Sequence, residues 1–144
     1  MDQGVPVRRP GGDSTPPERP MCLVTVRRMP VVKRIAPIFP VRNLGASLDH
    51  YRRLGFTVRE YEGGGYGYAN RDGVEIHLGT AANAGSEGGH HTAYLWVDDS
   101  DALAREWQAV GAEVRVPEDT EWGQHEGAVI DPDGNILRFG SPID

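Results

Sequence analysis

Residues 131–140 read DPDGNILRFG, and residues 70–79 read NRDGVEIHLG. Each is a polar turn built on Asp-Gly, then a short β-rich run closed by glycine, which is how a turn feeds a strand. Outward from this pair the correspondence continues. Val41, Gly55 and Val58 meet the same residue type 56 positions later (Val97, Gly111, Val114), whereas Gly73 and Gly79 meet theirs 61 positions later (Gly134, Gly140). The chain therefore writes one unit twice. Five extra residues belong to the second copy, and they are expected in the loop PEDTEWGQHEG at 117–127.

Both copies follow one order. RIAPIFPV (34–41) is β-rich, with prolines where an edge strand tolerates them. In LGASLDHYRRLGF (44–56), Leu44, Leu48, Tyr51 and Leu54 recur at helical spacing and Gly55 closes the helix. Short strands follow at 57–62, 65–70 and 74–79. In the second copy HTAYLWV (91–97) reads as a strand, and SDALAREWQAV (100–110) as a helix with Ser100 at its N-cap and Gly111 just past its end. EVRV (113–116), GAVID (127–131) and ILRF (136–139) complete the copy as strands. The expected fold is α+β, two tandem βαβββ modules at 34–80 and 90–140. They should pack side by side into a concave mixed sheet, because neither is large enough to bury its sheet alone.

At 144 residues and 38% hydrophobic, the chain can bury one core. No apolar run approaches a membrane span, and the N-terminus lacks the apolar stretch of a secretory signal, so a soluble cytoplasmic protein without a membrane partner is expected. Cys22 is the single cysteine, which excludes an internal disulfide and a thiolate metal cluster. Residues 1–33 are rich in Pro, Gly and Arg without any period, the composition of a disordered extension. Residues 1–34 hold seven basic and three acidic side chains, a net of +4, so the chain's −6 leaves −10 on residues 35–144. The basic segment lacks the aromatic interleaving and helical period of a nucleic-acid arm, and no nucleic-acid partner is expected.

The repeat, with LGF (54–56), AYLWV (93–97), DALAREW (101–107), WG (122–123) and DPDGNILRF (131–139), resembles the vicinal oxygen chelate superfamily, the glyoxalase/bleomycin-resistance fold. Within it the chain is most similar to the bleomycin resistance proteins, over residues 35–140. For the enzymatic members the resemblance implies four metal ligands, usually His or Glu, one on the first and one on the last strand of each module. Those positions here carry Ala36, His77, Thr92 and Arg138. Only His77 is of ligand type: alanine has no donor, threonine is a poor one, and a permanently charged guanidinium repels a divalent cation. Neither metal nor cofactor is therefore expected, and Arg138 should stand opposite His77 where the ion would sit.

Other polar clusters have ordinary explanations. His91 points by strand alternation away from the face of Tyr94 and Trp96, so His90-His91 does not replace Thr92 as a ligand. Asp98, Asp99 and Asp101 open a helix whose dipole they stabilise. The stretch 131–135 is a turn, and Glu121, His125 and Glu126 fall in the extra loop, expected to be solvated.

The aromatic side chains carry the positive signal. Tyr94 and Trp96 share a strand face with Thr92; Tyr61, Tyr66 and Tyr68 surround the GGG turn at 63–65; Trp122 lies in the extra loop. Trp107, on the helix, is expected in the core. With His77 and Arg138 the other six form the candidate ligand-binding set, since flat rings stack on heteroaromatic ligands and attract cations. The family's stacking positions map onto Tyr61, Tyr66 and Trp122. The resemblance implies a non-catalytic protein that sequesters a bleomycin-family antibiotic, or a similar planar cation, stoichiometrically in a groove between the subunits of a homodimer. Two alternatives stay open: a metal-dependent enzyme of the superfamily, either a glyoxalase- or dioxygenase-like lyase or a thiol transferase, and a binder of another planar toxin or metabolite.

Overall fold

The computed structural model describes residues 28–85 and 91–144. Cys22, His90 and most of the extension at 1–33 lie outside the described residues. The chain divides into two compact units, residues 1–34 and 35–144. In the first, residues 28–34 carry neither helix nor strand and are exposed. Because residues 1–28 have no apolar period with which to pack, deleting them is expected to leave the melting temperature and oligomeric state nearly unchanged. A marked loss of thermal stability in scanning calorimetry would show instead that the segment packs as an added strand.

The larger unit runs β1 (Ile38–Pro40), α1 (Leu44–Arg53), β2 (Thr57–Glu60), β3 (Tyr66–Arg71), β4 (Val74–Gly79), α2 (Ala81–Ala84), β5 (Thr92–Trp96), α3 (Ser100–Ala109), β6 (Glu113–Asp119), β7 (Gln124–Ile130) and β8 (Ile136–Pro142). The strands form two four-stranded sheets of identical order, β1-β4-β3-β2 and β5-β8-β7-β6. In each, the first strand pairs parallel with the last and the remaining ladders are antiparallel. The duplication read from the sequence is thus the architecture, α+β with two βαβββ modules.

Three local expectations are corrected. The strand at 34–41 shrinks to Ile38–Pro40; Pro37 has no N–H to donate, and the ladder begins only after it. Ser100 is not the cap of α3: Asp99 has the extended backbone of an N-cap and its carboxylate accepts from the Ala102 N–H at 3.0 Å. The stretch 117–127 is not a loop. It continues β6 and β7, which a tight turn at 120–123 joins. In the ladders Val58, Tyr66 and His77 occupy the places of Val114, Glu126 and Arg138, steps of 56, 60 and 61. Four of the five extra residues therefore lengthen this hairpin, and the fifth sits in the turn at 131–135.

One face of each sheet packs with α1 and α3 into a common core. Tyr51, Leu54, Ile76, Leu78, Trp107 and Phe139 are each at most 1% exposed, as the helical spacing predicts for α1 and as expected for Trp107. Ile76 and Leu78 on β4, and Leu137 and Phe139 on β8, point into this core. Strand alternation then sends His77 and Arg138 to the opposite face.

The DPDGN turn does more than reverse the chain. The buried Asp131 carboxylate accepts from the Tyr51 hydroxyl at 2.9 Å, from Asn135 Nδ2 at 2.9 Å and from the backbone N–H groups of Asp133 and Asn135 at 2.8 Å. Asn135 Nδ2 also donates to the Pro40 carbonyl at 3.0 Å, and Arg42 Nε reaches Asp133 at 2.8 Å. Burial, and then the charge of Asp131, raise the Tyr51 phenol well above its ordinary pKa, so it remains a donor. The turn fastens the second module to α1 and β1 of the first. Farther along the seam Trp107 Nε1 donates to the Leu54 carbonyl at 2.9 Å, and Arg71 binds the same carbonyl and Glu106, both at 2.7 Å. The NRDG turn, by contrast, is a minimal hairpin loop with Asp72 and Gly73 both at positive φ.

Candidate functional site

On the face turned away from the core, the first module brings together Tyr66 and Tyr68 from β3 and His77 from β4. Tyr68 lies directly across the ladder from His77. The Tyr66 hydroxyl is 2.8 Å from His77 Nδ1, and His77 Nε2 is 2.5 Å from Glu75. Both tyrosine rings meet the imidazole edge to face, at centroid distances of 5.4 and 5.0 Å, and the Arg59 guanidinium lies 4.1 Å above the Tyr68 ring. Glu75 was not among the expected residues. The signal was available, because residues two apart on a strand share a face. Tyr61 is half exposed in the turn after β2, outside these ring contacts.

The second module builds a different chemistry on the matching strands. Arg138 on β8 donates from Nε and Nη2 to one oxygen of Glu126, at 2.8 and 2.5 Å, while Trp122 Nε1 donates to the other at 3.1 Å. The guanidinium is 5.4 Å from the Tyr94 ring and 6.0 Å from the Trp122 ring, and the rings of Tyr94 and Trp96 meet at 4.9 Å. Burial pushes the Glu126 carboxyl up, but the hydrogen bonds from Arg138 and Trp122 outweigh it and hold its pKa below the ordinary value. The carboxylate stays ionised and the pair is neutral as a unit. Thr92, Arg115, Glu126 and Arg138 border a hollow of about 420 Å³ on this face. Glu126, expected in a solvated loop, is instead drawn onto the sheet by the lengthened β7. Its side chain is only 11% exposed.

The repeated terminal glycines now have a reason. A Cβ at Gly79 would crowd the Tyr66 ring and Ala84, and one at Gly140 would overlap the Tyr94 hydroxyl. Each glycine makes room for a ring on this face. The Tyr94 hydroxyl is buried beside the Glu126 carboxylate.

The eight candidate residues fall on two sheets and their turns, with His77 on the first sheet and Arg138 on the second. Ring contacts and hydrogen bonds gather Tyr66, Tyr68 and His77 on the first sheet, and Tyr94, Trp96, Trp122 and Arg138 on the second, with Tyr61 apart. The four positions of the family's metal ligands do not suit a divalent ion. Alanine occupies 36 and threonine 92, both ring nitrogens of His77 are engaged, and Arg138 is committed to Glu126. Among the described residues, no group of three or more His, Cys, Asp or Glu side chains is arranged to hold a metal. Among the acids at the start of α3, Asp99 caps the helix and Asp101 bonds His125 at 2.9 Å.

Relatives agree with this architecture. A Bleomycin resistance protein of Klebsiella pneumoniae is 26% identical over 111 residues, covering 72% of this chain and 87% of its own. The crystal structure of a bleomycin resistance determinant encoded on transposon Tn5 superimposes with a TM-score of 0.67 at 23% identity, over 77% of this chain and 98% of that one. A bleomycin-binding protein complexed with bleomycin gives a TM-score of 0.66 at 24% identity, over 78% and 100%. Described residues contain no helix long and apolar enough to cross a membrane. A single family model spans residues 32–139, the two modules together, and on that match the chain belongs to the Glyoxalase/Bleomycin resistance protein/Dioxygenase superfamily.

Proposed function

We propose that the protein is a non-catalytic, cytoplasmic binder that sequesters a bleomycin-type antibiotic, or a planar cation of like chemistry, stoichiometrically in a groove between two subunits. The observation that carries this reading is the Glu126–Arg138 pair. Its Arg138 stands where the superfamily's enzymes place a metal ligand, and the rings of Tyr94 and Trp122 flank the pair, with Trp96 packed against Tyr94. Rings around a charge-neutral pair offer stacking surface without a Lewis acid or a free nucleophile. The −10 of residues 35–144 favours approach of a cationic ligand. Relatives named for bleomycin resistance and bleomycin binding support the ligand class.

The homodimer is supported by an edge that needs a neighbour. Among the described residues β5 ends its sheet, paired only with β8. Along its open side runs a trough of about 620 Å³, with Phe56, Val74, Leu95, Trp96 and Leu103 among its walls, and Trp96 is 74% exposed. An open strand edge beside exposed apolar surface calls for a partner. A second copy would supply one and would bring its own Tyr66, Tyr68 and His77 to complete the groove.

Calorimetric titration with metal-free and with copper-loaded bleomycin tests the reading. Saturation at one or two drug molecules per dimer is expected, and no detectable heat from either form would refute it. Elemental analysis of the same preparation should find less than stoichiometric Ni, Zn, Fe and Mn. One tightly held ion per subunit, lost in His77→Ala, would favour a metal-dependent enzyme instead.

A further inference from the structure

His125 precedes Glu126 on β7 and faces the other way. Its ladder neighbours are Asp119 on β6 and Ser141 on β8. Its Nδ1 lies 2.8 Å from Asp119 Oδ1, and its Nε2 lies 2.9 Å from Asp101 Oδ1 in the first turn of α3. The imidazole therefore bridges the lengthened hairpin to the helix. β8 presents only a neutral group, since Ser141 is bonded to Ser100 at 2.9 Å. Among the described residues, the charged groups that meet the ring are the two carboxylates.

This geometry has a protonation requirement. Ionised carboxylates only accept hydrogen bonds, and a neutral imidazole donates from one nitrogen while the other carries a lone pair. Neutral His125 can satisfy Asp119 or Asp101 but sets a lone pair against the one it leaves. The imidazolium donates to both. We propose that His125 is a pH-dependent clamp: protonated, it locks the β6–β7 hairpin, and Trp122 at its tip, onto α3; neutral, it releases one of its two ties. Hydrogen bonds to Asp119 and then to Asp101 raise its pKa above the ordinary histidine value, in keeping with the geometry. For a group whose folded pKa is raised, the stabilisation is complete below the unfolded value of about 6.5 and is lost as pH rises through the folded value. The clamp therefore closes toward acid and opens toward alkali.

Ordering of the hairpin by His125 needs no ligand, so the clamp stands or falls separately from drug binding. NMR titration of the full chain should show His125 titrating above the ordinary value. Protection of the hairpin amides at 119–124 against hydrogen exchange, corrected for intrinsic rates, should fall severalfold across that same titration while core amides such as Phe139 hold. Asp101→Asn and Asp119→Asn should each lower the His125 pKa. His125→Gln should abolish the pH dependence of hairpin protection while its circular dichroism stays that of the wild type. Asp101→Asn lies outside both strands, so it separates the tie to the helix from the ladder itself. Titration of His125 at or below the ordinary value, hairpin protection indifferent to pH, or an unchanged pH dependence in His125→Gln would each overturn the clamp.

Discussion

Replacement of Asp131 by alanine is expected to destabilise the protein by about 2–4 kcal/mol, measured by urea unfolding near neutral pH. The buried carboxylate holds the Tyr51 hydroxyl, the Asn135 amide and two backbone N–H groups. Truncation strands several of these donors at once. Each donor left unsatisfied in a buried site costs about 1–3 kcal/mol, and local relaxation or an entering water recovers part of the sum. Asp131→Asn keeps the shape and one acceptor oxygen, so it should cost clearly less than alanine. Because Tyr51 belongs to α1 and Asp131 to the second module, the loss falls on the seam between modules. A cost under about 1 kcal/mol, at the low end of one unsatisfied donor, would show that the seam around Trp107 suffices alone.

Trp122→Ala is expected to weaken bleomycin binding by ~1–3 kcal/mol, the range for losing a stacked aromatic platform. The ring is 61% exposed, yet its indole N–H is pinned to Glu126, so a large flat face is held ready rather than ordered on binding. Wild-type tryptophan fluorescence should be quenched by the drug with saturation. Rising salt should weaken binding as well, because attraction between a cationic tail and the −10 surface is screened over about 8 Å at physiological ionic strength. If Trp122 merely decorates an exposed turn, calorimetry on wild type and variant will give the same affinity.

The parts of the molecule legible in the sequence are those set by period and by repetition. Leu44, Leu48, Tyr51 and Leu54 marked one helical face, and the paired glycines marked equivalent ends of β4 and β8. What escaped depended on ladders. Glu126 looked like a loop residue because 117–127 is polar and contains proline; only the pairing of β6 with β7 shows that it lies on a strand beside Arg138. Asp99 and Ser100 are both good capping residues, and the choice between them rests on a backbone angle that composition does not encode. That His77 and Arg138 belong to different sheets, which share a core but no ladder, is likewise a matter of pairing. Glu75, by contrast, lies two residues before His77 on one strand, so the sequence does place both on the same face.

Four of the five extra residues of the second copy lengthen a hairpin whose tip stands clear of the contacts that join the modules. Asp131, Asn135, Trp107 and Arg71 perform that joining, and the turn at 120–123 takes no part in it. Connector length is thermodynamically cheap, each doubling costing only about 0.6 kcal/mol. Substitutions and length changes at the tip can therefore accumulate with little penalty to the scaffold. Related chains should diversify first at this position when they acquire new ligands, and a laboratory library confined to 119–124 should return mostly folded members with altered preference.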